Sequence, residues 1–296
     1  MKRLKPFSYF EPATVREAAG LLARPKDGLI PLAGGTDLFV RMKRGEIRPS
    51  GLVNLKRIPK LDKIERGSGR VLKIGALATI AALENSPLVR SSHPVLAEAA
   101  GLLGSSSIRN LGTLGGNIGR ASPASDMSPS LIVLKARVSL TGAKGTRVVL
   151  LEDFFKGPGA TVMKKGELIT SLQVPPMARG SGAAHLKLGR RAGVDLALVG
   201  VAGFLLLSGK GRDVKEASLA VASCAPVPIR VKKAEEVLLS GSLTEARMKE
   251  AARVAAEGVS PIDDMRASAW YRKEMVQVLA YRALEKALQL AEGGKK

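Results

Sequence analysis

The sequence predicts an α+β protein: two α/β subdomains in succession, then a small antiparallel sheet followed by helices. Three observations predict it. Short apolar strand patterns alternate with amphipathic helix patterns through the first half of the chain. A Pro175-Pro176 pair followed by MARGSGAA interrupts that pattern and marks a boundary. Beyond it, apolar strand-like stretches come in a row and are followed by a row of helix-like stretches.

Taken in order, Thr14, Val15, Arg16 and Glu17 have the form of a capping box and open the helix VREAAGLLAR. GLIPLAGG reads as a buried strand running into a glycine turn, TDLFVRMKR as a helix starting at Thr36 or Asp37, and GLVNLKRI as another strand. These elements form a first subdomain of about residues 1–57. In VLKIGALATI a strand ends at Gly75 and Thr79 caps a short helix; HPVLAEAAGLLG is a helix by its apolar spacing. After the Gly115-Gly116 loop, DMSPSLIVLKA is helical, and RVSLTG, TRVVLLEDFF and GELITSLQVPP are strands, the last stopped by its prolines. The second subdomain therefore covers about residues 58–177. Residues 178–292 hold the strands AHLKLGRR, DLALVGVAGFLLL and EASLAVASCAP, then three helices. In the last helix Trp270, Met275, Leu279 and Leu288 are expected to share an apolar face.

Composition narrows the function. Aromatics are only 3% of 296 residues, so the core must be aliphatic. The single cysteine, Cys224, excludes an intramolecular disulfide, an iron–sulfur site and a cysteine zinc site. No apolar run approaches the ~20 residues of a membrane span, and the basic N-terminus lacks the long apolar segment of a secretory signal. The expectation is a cytoplasmic protein. Its net charge of +21, from 47 Lys and Arg against 26 Asp and Glu, points to an acidic or polyanionic partner. The basic residues are scattered or in short groups such as RMKR, without zinc-finger spacing or aromatics for base stacking. A basic nucleic-acid-binding or scaffold protein without cofactor stays open as the alternative class.

Two glycine segments stand out, PLAGGTDL at residues 31–38 and RNLGTLGGNIGRASPASD at residues 109–126. A Gly-Gly pair lets a ligand approach backbone amides with no Cβ in the way, and converging N–H groups form an anion nest. In the first segment a helix start and the Thr36 hydroxyl add donors; in the second, Thr113 and Asn117 flank the pair. Two such nests suit a diphosphate, although two tight turns that bind nothing would look the same. Neither segment has the ending of a P-loop or the three-glycine spacing of a Rossmann turn.

The segments PLAGGTDLFVRMK, IGALATI, IRNLGTLGGNIGRASPASD and GELITSLQVP, in this order, resemble the FAD-binding subunits of molybdenum hydroxylases. The medium subunit of aerobic carbon monoxide dehydrogenase and the flavin domain of xanthine dehydrogenase belong to that family. KLGRRAGVDLALV and DDMRASAWYRKEM extend the resemblance over nearly the whole chain. It implies a two-subdomain PCMH-type FAD-binding region (residues 1–177) and a C-terminal domain of carbon monoxide dehydrogenase flavoprotein type (residues 178–292). It also implies noncovalent FAD, with electrons delivered from a [2Fe-2S] small subunit and a molybdenum-binding large subunit. An external acceptor, NAD or a quinone, would receive them, with no nucleic acid and no membrane span involved.

By the same resemblance Pro31, Leu32, Ala33, Gly34, Gly35, Thr36, Asp37 and Leu38 would line the pyrophosphate. Thr113, Leu114, Gly115, Gly116 and Asn117 would clasp it from the other subdomain, with Asp126 close to the ribityl and phosphate region. Leu103, Ile169 and Lys187 match positions that touch the flavin end. Leu103 stands where some xanthine dehydrogenases have a stacking phenylalanine, and Leu196 where some relatives have an aromatic. The four-cysteine insertion of the 4-hydroxybenzoyl-CoA reductase relatives is absent.

Other polar residues are expected to be structural. His93 and His185 read as surface or packing residues, Cys224 as a small buried hydrophobe, and Asp263-Asp264 as a solvated turn or helix cap. Arg190-Arg191 reads as an exposed pair, and no catalytic triad can be assembled. The chemistry would then belong to the cofactor.

Overall fold

The computed structural model describes residues 4–24, 28–191, 193–208 and 211–293. The first group of elements is β1 (Ser8–Phe10), α1 (Val15–Ala23), β2 (Leu29–Leu32), α2 (Leu38–Arg44) and β3 (Gly51–Asn54). β3 is central and pairs in parallel with both β1 and β2. The α1 start keeps the Thr14 half of the capping box seen in the sequence, while Glu17 reaches the residue before the cap. Thr14 Oγ1 accepts from the Glu17 N–H at 3.1 Å, and Glu17 Oε2 accepts from the Ala13 N–H at 2.9 Å.

The second group opens with β4 (Ile64–Arg66) and β5 (Leu72–Gly75). Six short helices follow: α3 (Ile80–Asn85), α4 (Pro87–Ser92), α5 (Pro94–Gly101), α6 (Ser106–Leu111), α7 (Leu114–Gly119) and α8 (Ser128–Val133). It closes with β6 (Arg137–Gly142), β7 (Gly145–Leu150), the small β8–β9 pair (Phe155–Gly157, Ala160–Thr161) and β10 (Leu168–Val174). The sheet order is β4-β5-β10-β6-β7, antiparallel throughout. The helices are gathered between β5 and β6 because caps keep restarting the chain. Thr79, Ser86, Ser105 and Thr113 each accept a backbone N–H of the turn they open. Gly115-Gly116, expected in a loop, accordingly lie in the first turn of α7.

The third group is the antiparallel sheet β11 (Ser181–Leu188), β12 (Val199–Leu207), β13 (Val214–Ala222) and β14 (Ile229–Arg230). Three helices follow, α9 (Lys232–Leu239), α10 (Glu245–Glu257) and α11 (Ala269–Gly293). This sheet is buried on both faces, which explains apolar runs such as VGVAGFLLL. Ala183, Ala202, Phe204 and Ala220 join the core of the second group with Leu114, Met127 and Phe154. Val201, Leu205 and Leu219 pack instead with Ala252, Ala280 and Leu284 of α10 and α11. Among the described residues no helix is long and apolar enough to cross a membrane.

The α11 face needs one correction. Leu279 and Leu288 are buried and Met275 is half-buried, but Trp270 is 70% exposed. The buried stripe runs through Val276, Ala280, Ala283 and Ala287, and its helical spacing leads back to Arg272, away from Trp270.

The tightest helix-on-sheet contact is at Gly182, where a Cβ would lie 2.0 Å from the Ala287 carbonyl oxygen. Gly182→Ala should therefore destabilise the fold by about 1–3 kcal/mol through overpacking. Gly20, on α1 with open space around it, makes the contrast: Gly20→Ala should stabilise by up to about 1 kcal/mol. Urea unfolding of the two variants checks the opposite signs.

Candidate functional site

The two glycine segments meet. A Cβ on Gly34 would lie 2.1 Å from the Leu111 carbonyl oxygen and 3.0 Å from Gly112 Cα, so glycine there is required by the crossing of two chain segments. Gly35 has φ +76°, a left-handed conformation that glycine adopts without strain. A Cβ on Gly115 would lie 2.6 Å from that of Ala76, again a protein–protein contact. Gly116 has no positive φ, so the left-handed strain that a side chain would meet in such a conformation does not arise there.

The amides differ as well. In the second segment Leu114 and Gly115 donate to the carbonyls of Ala78 and Ala76 at 2.9 and 2.8 Å. Gly116 donates to Thr113 Oγ1 at 3.1 Å and Asn117 to the Thr113 carbonyl at 2.9 Å. This nest is closed by its own cap and by the chain after β5. In the first segment no described residue accepts from the N–H groups of Gly34, Gly35, Thr36 or Asp37, which lead into α2. The sequence suggested two anion nests; the structure has one set of free amides.

A cleft of about 600 Å³ opens between these segments. Pro31, Ala33, Gly34, Gly35, Thr36, Asp37 and Leu38 line one side, and Thr113, Gly115, Gly116, Asn117 and Asp126 the other. Leu103, Ile108, Ile169, Val194 and Leu196 add apolar surface to its lining. Three expected residues do not line it: Leu32 and Leu114 point into the cores, 4% and 0% exposed, and Lys187 is the third. Lys187 stands behind the wall, its Nζ donating to Asp126 Oδ2 and to the Leu102 carbonyl, both at 2.9 Å. Ile108, Arg120, Ser122, Ser125 and Asp195 also line the cleft and were not singled out from the sequence. Most of them stand in loops or short turns, where no periodicity marks an inward face. Ser122 and Ser125, within ASPASD, were the most accessible to inference from composition.

Asp126 is the charged centre. It is 7% exposed, and burial lifts its carboxyl to about 6 while the Lys187 ammonium pulls the other way. Its Oδ1 is buried without a partner. Beside it, Ser125 Oγ donates to Asn117 Oδ1 and Ser128 Oγ donates to Ser125 Oγ, both at 2.7 Å. Asp195 is engaged differently, its Oδ2 accepting from the Arg190 N–H at 2.8 Å.

The remaining polar residues are structural. His93 is buried, with Nε2 2.8 Å from the Pro175 carbonyl and Nδ1 2.9 Å from Ser92 Oγ, so it is no surface residue. Burial lowers its pKa against that carbonyl contact. Burial also pushes His185 down to about 4, its Nδ1 lying 3.0 Å from Ser130 Oγ. The Cys224 thiol is pushed up to about 12 by burial and is inert. Asp264 is half-buried and clamped rather than solvated, accepting from Arg266 Nη2 at 2.7 Å and Arg272 Nη2 at 2.9 Å. Burial opposes these contacts, yet they hold its carboxyl well below the usual range. Among the described residues no group of three His, Cys, Asp or Glu side chains could hold a metal ion.

Residues 5–177 match the family described as the FAD binding domain in molybdopterin dehydrogenase. Residues 184–287 match the CO dehydrogenase flavoprotein C-terminal domain. The glyceraldehyde dehydrogenase medium chain of Sulfolobus acidocaldarius is 34% identical over 94% of this chain and 97% of its own. The carbon monoxide dehydrogenase medium chain of Hydrogenophaga pseudoflava is 34% identical over 95% of this chain and 96% of its own. A solved carbon monoxide dehydrogenase from the same organism superposes with a TM-score of 0.93 at 33% identity, covering 97% of this chain and 98% of that one. The cofactor-free nucleic-acid-binding alternative finds no support in these matches. Whole-length likeness in sequence and fold, around a cleft lined by free amides and apolar walls, makes this chain a member of the FAD-binding medium subunits of the molybdenum hydroxylases.

Proposed function

We propose that this chain holds FAD noncovalently in the cleft and relays electrons through it. They would come from a molybdenum-binding large subunit by way of a [2Fe-2S] small subunit, and leave to an external acceptor, NAD or a quinone. The observation that carries this reading is the set of chemistries that share one cleft: free amides, an unpartnered buried carboxylate oxygen and aliphatic walls. A flavin dinucleotide asks for those three together: donors for its diphosphate, an acceptor for its ribityl hydroxyls and apolar cover for its ring. Bound FAD supplies the exchange between one- and two-electron transfer; the chain binds, orients and shields.

The N–H groups of Gly34, Gly35, Thr36 and Asp37 would receive the diphosphate, next to Pro31, Ala33 and Leu38. Thr113, Gly115, Gly116 and Asn117 would wall it from the other side, with Leu32 and Leu114 supporting both walls from the cores. Asp126 Oδ1 would accept from a ribityl hydroxyl, its carboxylate oriented by Lys187. Leu103 and Ile169 would cover the ring with aliphatic surface, excluding water without aromatic stacking. No His or Cys lines the described cleft, which supports noncovalent binding. We place the division into a flavin-binding region and a C-terminal domain at residues 177–178, between β10 and β11. The compartment we infer is the cytoplasm, since one buried cysteine offers no disulfide. The net charge of +21 suits acidic partner subunits, because complementary potentials steer assembly.

Three outcomes follow. Acid or heat release followed by chromatography should recover FAD; FMN, or flavin retained on denatured protein, contradicts the reading. Coexpression with iron–sulfur and molybdenum chains should give one complex in size-exclusion chromatography, and a chain that stays alone beside folded partners does not support it. The third concerns Asp126. A hydroxyl donor from the ligand favours the ionised carboxylate, so binding releases a proton and FAD affinity should rise as pH climbs through about 6. Asp126→Asn should flatten that pH dependence, and Asp126→Ala should weaken binding by about 1–3 kcal/mol; both are read from flavin fluorescence titrations.

A further inference from the structure

Among the described residues lining the cleft, Arg120 is the only cation, set against three carboxylates, Asp37, Asp126 and Asp195. Two of those carboxylates have their own partners away from it. Asp126 is paired with Lys187, and Asp195 accepts from the backbone of Arg190 and Leu196, with Arg190 Nε 3.5 Å away. Asp37 is the one Arg120 faces, with Nε 2.8 Å from Oδ2 and Arg41 behind it at 4.0 Å. Asp37 belongs to the loop with free N–H groups, whereas Arg120 follows α7 on the opposite wall. Arg120 Nε is buried without an aligned hydrogen bond, so Asp37 holds the guanidinium by charge alone.

This arrangement has a consequence for an anionic ligand. Free amides draw a diphosphate to residues 34–37, but the Asp37 carboxylate repels it at the same place. A guanidinium within reach of both resolves the conflict, because its planar fork engages phosphate oxygens bidentately. On the FAD reading above, we propose that Arg120 is a diphosphate ligand held in place by Asp37 until the cofactor enters. It then shares its donors between that carboxylate and the phosphate oxygens. Arg120 thereby sets the preference of the cleft for a dinucleotide over a flavin lacking the diphosphate.

The test titrates riboflavin, FMN, FAD and ADP into the flavin-free full chain, as wild type, Arg120→Ala and Asp37→Asn, each checked for folding by circular dichroism. Arg120→Ala should lose roughly tenfold or more in affinity for FAD and ADP while riboflavin affinity stays as in wild type. Asp37→Asn should bind FAD and ADP more tightly, since it removes the repulsion and releases the arginine. Equal loss for riboflavin and FAD in Arg120→Ala would overturn the proposal. So would a loss in Asp37→Asn that matches Arg120→Ala, because the pair would then be only a clasp between the two walls. A wild-type chain that binds no flavin would instead overturn the FAD reading, and this proposal with it.

Discussion

The cleft depends on one crossing, where residues 33–35 pass over the end of α6 at backbone distance. No Cβ fits between Gly34 and the Leu111 carbonyl, so the first two groups of elements approach as closely as main chains can. The crossing is braced from the other side by the Ile80 N–H donating to the Gly112 carbonyl at 2.9 Å and by the Thr79–Thr113 bridge. With the segments pinned, α2 must start beside the cleft, and the N–H groups of residues 34–37 that lead into it have no acceptor among the described residues. Unpaired amides of this kind are costly if left dry, so they persist where water or a ligand can reach them.

The second wall has spent its amides on holding its shape. Thr113 caps α7, and the carbonyls of Ala76 and Ala78 take the next donors. Rigidity on this side complements hydrogen-bonding capacity on the other. On the proposed FAD reading, the imbalance suits residues 34–37 to the anionic part of the ligand and Asn117, Ser125 and Asp126 to its neutral, hydroxyl-bearing part. Burying Asp126 carries a stability cost. Its folded pKa, about 6, stands above the ordinary carboxylate value of 3.8, so the folded chain holds the extra proton between those values. Stability from this group is greatest below about pH 4 and is lost as pH rises through 6, by roughly 3 kcal/mol in all. A donor from the ligand offsets that loss, which ties the integrity of the cleft to its occupancy.

The third group of elements completes the same site. β11 is pressed onto α11 at Gly182, and five residues further along the strand Lys187 reaches Asp126. Arg272, 2% exposed, donates to the carbonyls of Leu198 and Ser223 at 2.7 and 3.2 Å, and the Ser223 N–H donates to Pro123 at 2.8 Å. The loop carrying Ser122, Ser125 and Asp126 is therefore supported from the C-terminal sheet. A sheet buried on both faces is what allows this, because its inner face shares the core of the second group.

Much of this was legible in the chain itself. Period and capping chemistry are local, so α1 with Thr14, the helix after Thr79 and the paired strands of the C-terminal sheet could be read from residue order alone. The glycine segments, the aliphatic core and the exclusion of cysteine-bound clusters are equally local or compositional. Facts that depend on what lies across a contact could not be read. Glycine at 34 and at 115 looks alike in sequence, yet both answer to packing partners dozens of residues away, and only the first segment keeps its amides free. The placing of Lys187 behind Asp126, the exposure of Trp270 and the pairing of Arg120 with Asp37 were likewise decided by tertiary structure. Hydrogen-bond satisfaction and burial belong to pairs of segments brought together by folding, and residue order specifies each segment without naming its partner.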